Sequence, residues 1–207
     1  MNYYSQFGQD KYLNENFFHN KSNGTYVDIG AHDGITGSNT YFFDLLGWEG
    51  ICFEPLPEIY NQLVINRKRP RCYRCAISNN TGDAEFLDIK GYSNMLSGLI
   101  GEYPEEHMNR IFNETAEHPD QQLRKIKVHT AEFNESISFN DIDLLSIDTE
   151  GSEETILRSI DYDLFKIKFI VAEFNYESQS IRDFLYEKGF GVQVALGVDL
   201  VFKNIKL

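Results

Sequence analysis

Three short stretches of this 207-residue chain set carboxylates beside glycines or helix-starting residues at spacings that suit chemistry. The first is Asp28-Ile29-Gly30-Ala31-His32-Asp33-Gly34, whose glycines let the backbone turn sharply and come close to a bound molecule. Gly30 and Gly34 lack the three-glycine spacing of a dinucleotide fingerprint, which favours a compact ligand without a pyrophosphate. The second is Glu54-Pro55, about 20 residues further on, where an acid at a strand end accepts hydrogen bonds from ribose hydroxyls. In the third, Ser146-Ile147-Asp148-Thr149-Glu150-Gly151-Ser152-Glu153, two carboxylates emerge just before a helix. Asp148 and Glu150 suit a general base, a cation site or a divalent metal, although Thr149, Ser152 and the same acids also suit helix capping. Glu173 enlarges the acidic group. His32 is either a further base or a loop histidine packed beside the glycine turn.

These positions belong together if strands deliver them to one edge. Residues 25–31, 50–54, 72–77, 143–148 and 169–174 read as strands, and 38–46, 57–67, 153–159 and 178–188 as helices. The helix at 57–67 opens on Pro57, tolerated at a first helical position, and the last closes on Gly189. Residues 85–89 and 125–130 read as shorter strands, and 192–196 with 200–203 as a closing pair around Gly197-Val198-Asp199. Such alternation implies a mostly parallel sheet covered by helices, with ligands beyond the carboxyl ends of its strands. Residues 91–123 break the rhythm with three glycines, two prolines and one helix expected at 105–114. Long insertions are usually lids or binding loops, so this one is expected to face the substrate, within a single domain spanning 1–207.

The composition, 42% hydrophobic and 25% charged, is that of an ordinary globular protein. No apolar run approaches the roughly 18 residues of a membrane span, and the N-terminus has no signal-peptide pattern. A net charge of −13 repels a phosphate backbone and argues against a nucleic-acid partner. The one basic cluster, Arg67-Lys68-Arg69-Pro70-Arg71 with Arg74 behind it, reads as a solvated helix end and turn. Cys72 and Cys75 have metal-ligand spacing without a second pair, so together with Cys52 they read as reduced thiols of a cytoplasmic protein.

Taken in order, the stretches resemble the FkbM family of methyltransferases. Ser5-Gln6-Phe7-Gly8-Gln9-Asp10 looks like that family's N-terminal signature. Val27 to Gly34, followed by Ser38-Asn39-Thr40, resembles its glycine loop and next helix start. Gly47-Trp48-Glu49-Gly50-Ile51-Cys52-Phe53-Glu54-Pro55 and Leu145 to Glu153 match the remaining blocks, and the resemblance spans residues 5–174, weakest over the insertion. It implies a class I methyltransferase fold: a Rossmann-like three-layer α/β sandwich on a mostly parallel seven-stranded sheet with an antiparallel last strand. S-adenosylmethionine is then expected across the carboxyl edge. By the same resemblance Asp28 and Gly30 border its methionine part with Asp33 close by, and Ser38 and Asn39 cap the helix beneath it. Glu54, with Pro55, holds the ribose, and Ala76, Ile77 and Ser78 edge the adenine.

The family's usual chemistry is O-methylation of small-molecule hydroxyls, including those of sugars and glycans. Such a transfer needs in-line alignment and a base for the hydroxyl proton. Asp148 is the first candidate, followed by Glu150, Glu173 and His32; a divalent metal, if used, would take Asp148 and Glu150 first. Within the insertion, Tyr92, Tyr103, His107 and His118 suit contact with a sugar, and Tyr92 and His107 are the expected acceptor residues. A nicotinamide-dependent oxidoreductase is disfavoured by the missing third glycine. An inactive binding module on the same fold is disfavoured because Asp28, Gly30, Glu54, Asp148 and Glu150 are all present. A protein or nucleic-acid methyltransferase is disfavoured by the lack of an asparagine-proline-proline-tyrosine type of motif.

Overall fold

Apolar strands alternate with amphipathic helices in the computed structural model, which describes residues 2–175 and 179–207. The chain opens with α1 (Gln9–Leu13), continued by a π-helical turn at Asn14–Phe18. Then come β1 (Thr25–Ile29), α2 (Tyr41–Leu45), β2 (Glu49–Phe53), α3 (Pro57–Asn66), β3 (Arg71–Tyr73), β4 (Ala76–Ser78) and β5 (Gly82–Lys90). β6 (Gly98–Leu99), α4 (Glu105–Glu117), β7 (Gln122–Glu132) and α5 (Phe133–Ser136) follow. The remainder is β8 (Asp141–Ile147), α6 (Glu153–Ser159), β9 (Lys166–Glu173), α7 (Gln179–Lys188), β10 (Phe190–Leu196) and β11 (Asp199–Asn204).

Seven strands form one sheet in the order β10-β11-β9-β8-β1-β2-β3. β11 runs against both of its neighbours, and the other pairs are parallel, as expected of this fold. The central strands read as unbroken apolar runs because both faces are covered. Val27, Ile29, Ile51, Phe53, Leu145 and Ile147 point to one side, where Ile156 and Leu157 of α6 and Ile181 and Leu185 of α7 meet them. Tyr26, Cys52 and Leu144 point to the other, against Leu13 of α1, Phe42 and Phe43 of α2, and Trp48. Sequence order reverses between β1 and β8, and a crevice opens at such a reversal.

A second sheet, β4-β7-β5-β6, is built on a long hairpin in which β5 and β7 pair from Gly82↔Thr130 to Lys90↔Gln122. Residues 91–123 are therefore mostly the far end of this arm, carrying β6 and α4. The strand expected at 72–77 is two strands: the chain leaves the main sheet after Tyr73, and β4 pairs with β7 instead. The helix expected from Ser38 begins at Tyr41, because the Ser38 hydroxyl accepts the backbone N–H groups of Thr40 and Tyr41 and holds that turn outside the helix. Ser178, the expected start of the last long helix, lies outside the described residues, and α7 is described from Gln179. All three cysteines are free thiols. Among the described residues no helix is long and apolar enough to cross a membrane.

Candidate active site

The ends of β1, β2, β4 and β8 open on one cleft of about 990 Å³. At its centre the loops after β1 and β8 are pinned together. Gly30 and Ala31 N–H both donate to the Phe53 carbonyl at 3.0 Å, and Asp148 N–H donates to the Ile29 carbonyl at 3.0 Å. Gly30 has a φ of 81°, and a Cβ there would stand 1.7 Å from the Asp148 carbonyl oxygen, so only glycine allows this approach. His32 follows in the left-handed region and lines the cleft; burial holds its imidazole below the usual range, against the pull of Asp33. Asp33 staples the loop, accepting from the N–H groups of Ile35 and Thr36 and from the Thr36 hydroxyl.

Asp28, buried at the end of β1, accepts a hydrogen bond from Thr40 Oγ1, and Arg67 Nη2 lies 3.7 Å from its Oδ2. Arg67 corrects the reading of the basic cluster as wholly solvated: Lys68, Arg69, Arg71 and Arg74 are exposed, but Arg67 turns inward and is 2% exposed. Asn39 is buried on the cleft wall, its Nδ2 donating to Ser146 Oγ and its Oδ1 left without a hydrogen bond. Glu54 stands at the end of β2, where Oε2 accepts His32 N–H and Oε1 accepts Leu56 N–H. Burial pushes its carboxyl up to about 7, and those two hydrogen bonds offset only part of the rise. Pro55, Ala76 and Ile77 line the cleft beside Phe86, Met95 and Leu99 of the arm, an apolar contribution that sequence reading missed. Ser78 and Asp33 do not line it. Tyr92 lies in neither cavity, stacked on His118 and 70% exposed.

The loop after β8 divides the cleft from a second cavity of about 820 Å³, which Tyr103, His107, Glu153 and Glu173 help to line. Glu150, in that loop and on the wall of the first cleft, has a φ of 58°. Glu153 braces the loop, accepting from Thr149 N–H, Thr149 Oγ1 and Gly151 N–H. Carboxylate oxygens of Asp148, Glu150 and Glu173 all lie within 4.8 Å of one another. Solvent reaches Asp148 through the open cleft, yet its carboxylate is set deep among protein atoms and other acids. Burial and then Glu173 raise its carboxyl, burial and then Asp148 raise that of Glu150, and Glu173 is pushed up to about 9. His107, buried and stacked on Tyr103 at 4.8 Å, brings Nδ1 to 3.8 Å from Glu150 Oε2. Asp199, also missed in the sequence, accepts a hydrogen bond from Gln9 Nε2, and its charge helps to raise the carboxyls of Asp148 and Glu173.

The sequence model of the methyltransferase FkbM domain matches residues 28–192. Among solved structures, a Clostridium thermocellum protein provisionally named an rRNA methylase superposes with a TM-score of 0.51 at 12% identity, over 99% of this chain and 98% of that one. A TehB-like SAM-dependent methyltransferase from Corynebacterium glutamicum gives a TM-score of 0.47 at 10% identity, over 97% and 89%. At 12% identity the first likeness concerns the fold alone. No curated protein sequence matches the chain.

Proposed function

The chain belongs to the FkbM methyltransferase family, and from that premise we propose that it transfers a methyl group from S-adenosylmethionine to a hydroxyl of a small molecule, a sugar or glycan. The observation that carries the transfer to oxygen is the group of Asp148, Glu150 and Glu173, whose clustered oxygens stand where the cleft meets the second cavity. An alcohol, unlike a free amine, must lose its proton as it attacks, and a carboxylate at that junction is placed to take it.

The cleft fits the cofactor. Its lining combines an apolar wall with a few convergent polar groups, as ligand sites do, and Asn39 Oδ1 is a buried acceptor in want of a donor, such as the ammonium of the amino-acid end. Glu54 retains acceptor capacity for ribose hydroxyls beyond its two backbone bonds. Ala76, Ile77 and the arm residues offer an apolar slot for the adenine. S-adenosylmethionine supplies an already activated methyl group on a sulfonium. The protein's part is to align, to exclude water and to move one proton. In this reading the acceptor enters through the second cavity beneath Tyr103 and His107, and its hydroxyl hydrogen-bonds to Asp148.

Three acids this close do not all ionise together, so one carboxylate accepts the proton while its neighbours share another. His32, whose imidazole burial holds below the usual range, stands behind the three acids as a further candidate base. The same donor set also suits a divalent cation, and turnover that a chelator abolishes would favour that arrangement. The net charge of −13 supports an acceptor other than nucleic acid, and the free thiols support a cytoplasmic setting.

The first experiment is calorimetric titration with S-adenosylhomocysteine, beside a Glu54→Ala variant, then transfer of labelled methyl from S-adenosylmethionine to a panel of sugars. Binding that weakens by roughly 1.5–3 kcal/mol in the variant, the value of hydrogen bonds to a charged group, and label lost with Asp148→Asn support the reading. No binding by the wild-type protein sinks it; label on amines alone removes the O-methyl assignment.

A further inference from the structure

We propose that Arg67 is a positioning residue for the amino-acid end of the cofactor, tying β1, the glycine loop and the Ser38–Thr40 turn into one cradle from behind the cleft wall. The inference rests on the cofactor reading above.

The guanidinium is fully buried just beyond the end of α3. Removing a charge from water is costly unless its donors are met, and here they are met by three separate pieces of chain. Nε donates to the Gly34 carbonyl at 2.5 Å, at the end of the glycine loop. Nη1 donates to the Tyr26 hydroxyl at 2.9 Å, on β1. Nη2 donates to Ser38 Oγ at 2.7 Å and to Thr40 Oγ1 at 2.9 Å. Thr40 passes the link on, donating to the Asp28 carboxylate, while the Tyr41 ring lies 4.8 Å beneath the guanidinium. A planar fork of five donors satisfies this set, and a lysine ammonium cannot.

Arg67 itself does not line the cleft, whereas Asp28, Ser38 and the residues beside them do. Its partners all lie on the side assigned to the amino-acid end; none is Glu54 or belongs to the apolar wall of Ala76, Ile77 and Phe86. Asp28 gains a second benefit, because burial pushes its carboxyl up and the arginine draws it back toward the charged form. A residue that merely holds the core together would support both halves of the cofactor equally. One that shapes this cradle would support only the half with the amino-acid tail.

The test compares S-adenosylhomocysteine with 5′-methylthioadenosine, which keeps the nucleoside and lacks the tail, the second measured by its displacement of the first. Arg67→Met is expected to lose about tenfold or more in affinity for S-adenosylhomocysteine, as several charge-assisted bonds disappear, with the affinity for 5′-methylthioadenosine within about twofold of wild type. Thr40→Val, a gentler change that removes the hydroxyl bridging Arg67 to Asp28 and its contact with Ser38 but leaves their direct 3.7 Å approach in place, should reproduce the selectivity at several-fold size, and it decides the matter if Arg67→Met does not fold. Equal losses for both ligands, or no loss in either variant, overturn the inference while leaving the cofactor assignment intact. Failure of the wild-type protein to bind S-adenosylhomocysteine instead removes the cofactor assignment.

Discussion

One methyl group at Gly30 would part the two loops on which the cleft depends. A Cβ there meets the Asp148 carbonyl oxygen at 1.7 Å, and the φ of 81° is itself unfavourable for alanine by roughly 1–2 kcal/mol. Gly30→Ala is therefore expected to lower the melting temperature and to abolish S-adenosylhomocysteine binding, because Asp148 and Ala31 can no longer hold their backbone bonds together. A variant that unfolds normally and titrates like wild type would show that the loops do not meet as described. Gly30 and Glu54 were legible in the sequence because a turn glycine and an acid directly after apolar runs leave a local signature. Arg67 was not. A basic run at a helix end looks solvated, and only partners 27 to 41 positions away in sequence turn this one member inward. The same limit applies to the insertion: His107 faces inward with Ile111 one turn on, whereas Tyr92, an equally plausible aromatic, stacks outside.

At the level of elements, what could be read depended on how each strand is covered. β1, β2, β8 and β9 are buried on both faces and announce themselves as apolar runs. β5 and β7 alternate or are largely exposed over much of their length, so their full extent and the arm they form were hidden. The break between β3 and β4 left no mark either, because Cys72-Tyr73-Arg74-Cys75-Ala76-Ile77 reads as one continuous strand and only the pairing with β7 separates them. The arm has its own small core, in which Ile111 of α4 packs with Leu87, Ile89 and Leu96. Ile111 is fully buried and Phe112, its neighbour, is 62% exposed. Ile111→Ala should cost about 2–5 kcal/mol and expose the arm to limited proteolysis, and Phe112→Ala should stay within about 0.5 kcal/mol of wild type. Similar effects of the two substitutions on thermal unfolding would mean that α4 is not seated on the arm in this phase.

Across the whole molecule, the acidity is unevenly spent. Carboxylates that meet several hydrogen bonds or a cation, such as Asp33, Asp143 and Glu114, are held below their usual range by them. Those gathered at the carboxyl edge of the sheet, Asp28, Glu54, Asp148, Glu150, Glu173 and Asp199, are all pushed upward, with burial the largest cause. A carboxyl that holds its proton more tightly in the folded protein than in the unfolded chain stabilises the fold fully below its unfolded value. It gives up that stabilisation as pH rises through its folded value. Asp199 and Glu54, at about 6 and about 7, govern the fall through neutrality, and Glu173, at about 9, extends it upward. The melting temperature should therefore decline steadily from about pH 5 to about pH 9, and Glu173→Gln should flatten its upper half. Glu187→Gln, at an exposed position, removes the same unit of charge and controls for the general repulsion of a chain at −13. If both variants flatten the curve alike, net charge is the cause. If only Glu173→Gln does, the decline belongs to acids crowded at one edge, held there by a fold that gives up stability to keep them together.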